Sequence, residues 1–139
     1  MIQLLVGLKG SGKTKTLMDE VNKAVSVSRG NVICIEYGKK LTFNVYSSVR
    51  LIDVVEYDIK TGDELYAFVC GMLAANYDIT EMFIDSALKM CGEKMADFEK
   101  FALRLNKKIS ELGIHCLVTA SAEPESFPET LKALIHEGE

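Results

Sequence analysis

The segment Gly7-Leu8-Lys9-Gly10-Ser11-Gly12-Lys13-Thr14 satisfies the pattern G-x-x-x-x-G-K-[ST] at every fixed position, and no other stretch constrains the fold as much. Four fixed positions at ordinary residue frequencies match by chance in about one chain in two hundred of this length. Before the loop, Ile2, Leu4, Leu5 and Val6 form an apolar run too brief for a helix and suited to a buried strand. After it, Leu17, Val21, Ala24 and Val25 recur at helical spacing on one face. Strand, glycine-rich turn and helix is the setting in which such a loop cradles phosphate. Glycines let the backbone wrap closely around an anion, and the positive end of the following helix adds to the field of the converging N–H groups. Gly7, Lys9, Gly10, Ser11, Gly12, Lys13, Thr14 and Lys15 are therefore the candidate binding residues. Lys13 is expected to reach the β- and γ-phosphates, and the Thr14 hydroxyl to sit on Mg²⁺.

The rest of the chain alternates strand and helix signals. Residues 14–28 read as the first helix, with Arg29-Gly30-Asn31 as its stop, and Val32-Ile33-Cys34-Ile35 as a strand covered on both faces. Leu41-Thr42-Phe43-Asn44-Val45 alternates well enough for a short antiparallel return strand, giving a hairpin near 32–46, and residues 49–55 suggest a further strand. Thr61 and Glu64 form a capping box ahead of the apolar face Leu65, Phe68, Val69, Met72 and Leu73. Glu81-Met82-Phe83-Ile84-Asp85 is strand-like, and residues 89–94 read as a loop. Phe98, Phe101, Ala102, Leu105, Ile109 and Leu112 mark a long amphipathic helix stopped by Gly113. Residues 114–119 form a last strand, and Ser126 is the expected cap of a final helix with Pro128 in its first turn. The expected architecture is a three-layer α/β/α sandwich with a mostly parallel sheet.

A phosphate loop needs a carboxylate on the magnesium side, usually an Asp after an apolar strand. Asp85 has that form, and a parallel strand would bring it to the carboxyl edge where open α/β sheets bind ligands. Asp53, after Leu51-Ile52, is its rival. Thr119 and Ser121 are candidate contacts to a γ-phosphate, against ordinary turn chemistry. Lys13 and Asp85 are the candidate catalytic residues, and Thr14 and Asp85 the candidate metal ligands. His115, in an apolar strand, reads as a core residue.

Composition bounds the partners. A length of 139 residues suits one domain, and 48% hydrophobic with 26% charged residues is ordinary for a globular chain. A net charge of −4 offers no electrostatic case for nucleic acid or an anionic membrane. Residues 65–75 cover only about half of the ~20 apolar residues that a bilayer span needs. The first strand lacks a basic lead and is expected not to be a signal peptide. Cys34, Cys70, Cys91 and Cys116 show no C-x-x-C pair, so reduced thiols and a cytoplasmic location are expected.

Through Gly7–Thr14 and Phe83-Ile84-Asp85 the chain resembles the P-loop NTPase superfamily. As a whole it is similar to small stand-alone bacterial ATP-binding proteins, some labelled after twitching-motility ATPases. The resemblance implies a nucleoside triphosphate with Mg²⁺, Lys13 and Thr14 in their usual roles, and Asp85 as the Walker B acid. Many such ATPases follow that acid with a Glu that polarises water. Here Ser86 follows, and a hydroxyl is a poor proton acceptor at neutral pH. Glu81, Glu93 and Glu123 are candidates to act from elsewhere. No N-K-x-D segment occurs, which favours ATP over GTP. The expected function is an ATP·Mg²⁺-dependent switch with slow or partner-stimulated hydrolysis, the partner being a second copy or another protein. A small-metabolite kinase with Asp53 or Glu56 as substrate base is the other enzyme reading. It is weakened by the presence of only three scattered arginines, Arg29, Arg50 and Arg104, where an Arg-rich lid is usual. A scaffold whose loop no longer binds nucleotide is disfavoured by the intact loop.

Overall fold

The computed structural model describes residues 1–28, 30–39 and 49–136. In chain order the elements are β1 (Ile2–Gly7), α1 (Lys13–Val27), β2 (Asn31–Glu36), β3 (Arg50–Asp53), α2 (Gly62–Ala75), β4 (Ile79–Ile84), α3 (Ala87–Met90), α4 (Met95–Leu112), β5 (His115–Ser121) and α5 (Glu129–Lys132). The strands form one five-stranded sheet in the order β1-β5-β4-β2-β3, with every pair parallel. The outer edge of β1 is not left bare: Leu4 N–H donates to the Leu134 carbonyl at 2.8 Å, and His136 N–H donates to the Leu4 carbonyl at 2.6 Å.

Strand periodicity sorts the core into two layers. In β2, Val32 and Cys34 face one side while Ile33 and Ile35 face the other, and the same alternation holds for Phe83 against Met82 and Ile84. Leu17, Val21 and Ala24 of α1 pack on Val32, Cys34, Phe83 and Leu117. On the opposite face, Leu65, Val69 and Leu73 of α2 and Phe98, Phe101, Leu105 and Ile109 of α4 cover Ile33, Ile35, Met82, Ile84 and Val118. Each large side chain so buried contributes about 1.5–3 kcal/mol. Helices on both faces of a parallel sheet fit a three-layer α/β/α arrangement.

Several expected boundaries move. The return strand at 41–45 lies outside the described residues, and no antiparallel hairpin is seen among those that are described. The strand expected at 49–55 is shorter, because Val54–Tyr57 coil into a 3₁₀ turn that Asp53 caps by accepting from Val55 N–H at 3.0 Å. The loop expected at 89–94 starts two residues late, because Lys89 and Met90 belong to the single turn of α3, whose four residues are too few to show a helical period. Ser126 does not cap the last helix. Its hydroxyl donates to the Glu123 carbonyl inside a separate 3₁₀ turn, and Pro128 occupies the cap position of α5. Elsewhere the local signals are realised: the Thr61–Glu64 capping box is complete, and α4 stops at Gly113 with φ of 71°.

Candidate functional site

The sheet order builds the site. β5 lies between β1 and β4, so the strand ending at Gly7 and the strand preceding Asp85 stand two spacings, about 10 Å, apart. Thr119 fills the interval. Phe83 and Leu117 face α1, and by the two-residue period Asp85 and Thr119 share that side. Their side chains accordingly meet the first turn of α1.

Thr119 and Asp85 are both buried, and the Thr119 hydroxyl donates to Asp85 Oδ1 at 2.8 Å. That hydroxyl also accepts from Ser86 N–H at 2.7 Å, and Asp85 N–H donates to the Ile35 carbonyl at 2.8 Å. Asp85 is thus held by its backbone N–H on β2, and its carboxylate by a Thr119 hydroxyl that Ser86 N–H fixes in turn. The Thr14 hydroxyl lies 3.3 Å from Asp85 Oδ1 and 3.5 Å from Oδ2. Two oxygens bound to one Mg²⁺ at about 2.05 Å in adjacent octahedral positions stand about 2.9 Å apart, so this pair suits a shared magnesium with small adjustment. Among the described residues no three His, Cys, Asp or Glu side chains converge on a metal position. A single carboxylate with a hydroxyl is the donor set that leaves Mg²⁺ its waters and phosphate oxygens.

The loop has the form of an anion cradle. Gly12 precedes α1 in the left-handed region, φ 92°, where a side chain would be strained. At Gly7, φ 155°, a Cβ would come within 2.7 Å of Ser11 Oγ, so a larger residue would have to displace the Ser11 side chain. No side chain caps α1, and its first turn carries no acid, which leaves its leading N–H groups available to an anion. The Lys13 side chain is buried over the loop, its ammonium donating to the Leu8 carbonyl at 2.9 Å and to Ser11 Oγ at 3.4 Å. Burial lowers its pKa from the ordinary lysine value, and the Asp85 charge opposes that shift.

Lys13, Thr14 and Thr119 open onto a cavity of about 410 Å³ lined also by Lys9, Gly10, Gly12, Lys15, Ser86, Leu88, Lys89, Glu93 and Ser121, with Asp85 buried behind Thr14 and Thr119 rather than lining it. Its volume falls in the usual range for small-ligand sites. Four lysines line it against one carboxylate, an inversion of the chain's net charge of −4 that favours a polyanion. Lys9 and Lys15 are exposed there, with Lys15 paired to Asp19 at 3.3 Å. The Lys89 ammonium sits 4.6 Å over the Tyr37 ring.

Other candidates are placed elsewhere. Asp53 accepts from Gly38 N–H at 2.8 Å as well as from Val55, and Glu56 pairs with Lys39 at 3.5 Å; neither lines the cavity. Glu81 stands at the opposite end of β4, where its carboxylate meets His115 Nδ1 at 2.8 Å. His115 is therefore exposed at the start of β5 rather than in the core, because the strand's buried stretch begins one residue later. Glu123 does not line the cavity, whereas Glu93 does. Arg104 bonds Asp63 at 3.1 Å and stacks on Tyr66, Arg50 opens β3, and Arg29 lies outside the described residues. Among the described residues, then, no arginine reaches the cavity.

Sequence reasoning singled out neither Lys89, which lines the cavity, nor Glu36, which stands at the same carboxyl edge of the sheet outside the lining. Glu36 ends β2 as a buried carboxylate, and its only sequence signal was its place after an apolar run. Lys89 gave no signal, since a lone lysine in an irregular stretch reads as solvated charge. Comparison with known proteins finds no matching family model and no match among the curated proteins.

Proposed function

We propose that the chain binds ATP·Mg²⁺ at the Gly7–Thr14 loop and works as a nucleotide-dependent switch with slow or partner-stimulated hydrolysis. The observation that carries this reading is the meeting of Thr14 and Asp85, 3.3 Å apart, beside the buried Lys13 and the glycine loop. Triphosphate oxygens would draw the Lys13 ammonium from the Leu8 carbonyl and Ser11, exchanging neutral acceptors for charged ones. The α1 N–H groups would hold the phosphates, Thr14 and Asp85 would hold the metal, and Thr119 would keep the Asp85 carboxylate oriented. Magnesium would supply charge neutralisation and fix the phosphate geometry.

Transfer to a small metabolite is less well supported. Its candidate bases Asp53 and Glu56 are engaged away from the cavity, and no described arginine lines it. Calorimetric titration of ATP·Mg²⁺ and GTP·Mg²⁺ into wild type and Lys13→Ala tests the reading. ATP should bind wild type, and Lys13→Ala should weaken it by a hundredfold or more, on the order of the 3 kcal/mol that a lost charge-assisted phosphate contact costs. Equal affinity in the two proteins would refute a role for the loop.

A further inference from the structure

We propose that Glu93 is the general base that activates the attacking water, supplying from the α3–α4 turn the carboxylate that Ser86 cannot provide; this rests on the ATP reading above. Of the acids near the carboxyl edge of the sheet, Asp85 is committed to Thr119 and Thr14, and Asp53 to two backbone N–H groups. Glu36 is buried, and it does not line the cavity. Glu93 is exposed and is the one carboxylate among the described residues lining the cavity, which it shares with Lys13 and Thr14.

Its backbone is fixed as well. Three non-glycine residues among those described adopt positive φ, and two of them, Ser86 at 70° and Glu93 at 61°, border this cavity. A side chain in that region is uncommon and persists where surrounding structure holds it. Here Glu93 N–H is fixed to the Leu88 carbonyl at 2.9 Å, after Gly92 N–H has bonded the Lys89 carbonyl at 3.1 Å. The turn therefore fixes the backbone that carries the carboxylate at the rim of the cavity.

In the step, the water oxygen forms a bond to the γ-phosphorus as its proton passes to the Glu93 carboxylate. The bond from phosphorus to the β–γ bridging oxygen breaks, ADP leaves with that electron pair, and inorganic phosphate is released. Glu93 returns its proton to solvent. Because the carboxylate is exposed, a partner that closed the cavity mouth would hold it against the water and raise the rate.

Glu93→Gln keeps shape and removes the base. The test measures ATP·Mg²⁺ affinity by calorimetry, phosphate release with time, and the nucleotide recovered from the complex after acid quench. The variant should melt as wild type does and bind ATP within about threefold of wild type. Its turnover should fall by about 10²–10⁴-fold, and intact ATP should be recovered where wild type yields ADP. Glu93→Asp should restore part of the turnover. Unchanged turnover in Glu93→Gln would overturn the proposal, as would a wild type that binds ATP and never converts it. Failure of wild type to bind ATP would instead overturn the nucleotide reading, and the base assignment with it.

Discussion

Burial pushes the thiols of Cys91 and Cys116 up to about 12, from a starting value of 9.0. A folded-state pKa above the unfolded one stabilises the protein below pH 9, and the contribution is lost as pH climbs from 9 towards 12. At pH 10 the loss is about 1.4 kcal/mol for each such thiol. The urea midpoint of wild type should therefore fall more steeply between pH 8.5 and 10.5, as about that range brackets the onset, than the midpoint of Cys116→Ala. Parallel falls in the two proteins would show that Cys116 ionises as easily in the fold as out of it. The same residue scale decides which side chains were readable beforehand. Lys13 and Thr14 were singled out by a local pattern, and on the proposed reading phosphate geometry sets its spacing. Thr119 was a weaker candidate, because its role depends on Asp85, 34 residues away in sequence and 2.8 Å away in space.

Elements were legible where their signals are local. Thr61 Oγ1 accepts from Glu64 N–H at 3.1 Å, and Glu64 Oε1 accepts from Thr61 N–H at 3.1 Å, as the two-residue signature implies. Thr61→Ala should cost about 1 kcal/mol in chemical denaturation. It should leave ATP affinity unchanged, since α2 lies on the face opposite α1. A change in affinity would mean that the two helical layers communicate. The failures are local too. α3 spans four residues, which a 3.6-residue period cannot mark, yet it leads into the turn that carries Glu93 to the cavity. Ser126 has the right residue type for a cap, but the Glu123 carbonyl captures its hydroxyl first. His115 was misread because an apolar run does not say where its buried register begins.

At the scale of the whole molecule, the sheet order makes the site, and no local pattern encodes that order. Parallel strands and a carboxyl-edge Asp85 were expected from alternation of strand and helix. That β5 stands between β1 and β4, with Thr119 between Gly7 and Asp85, follows from pairings more than 30 residues apart. Two hydrophobic layers lock that order by giving each strand face its own helices. On the proposed reading, Lys13, Thr14 and Asp85 form one ATP·Mg²⁺ site. The most direct test is the affinity for ATP with and without Mg²⁺, in wild type and in Asp85→Asn, with thermal midpoints confirming that both are folded. Magnesium should tighten ATP binding to wild type by about tenfold or more and have little effect in Asp85→Asn. ATP binding that ignores Mg²⁺ in the wild type, or no binding by the folded chain, would contradict the account.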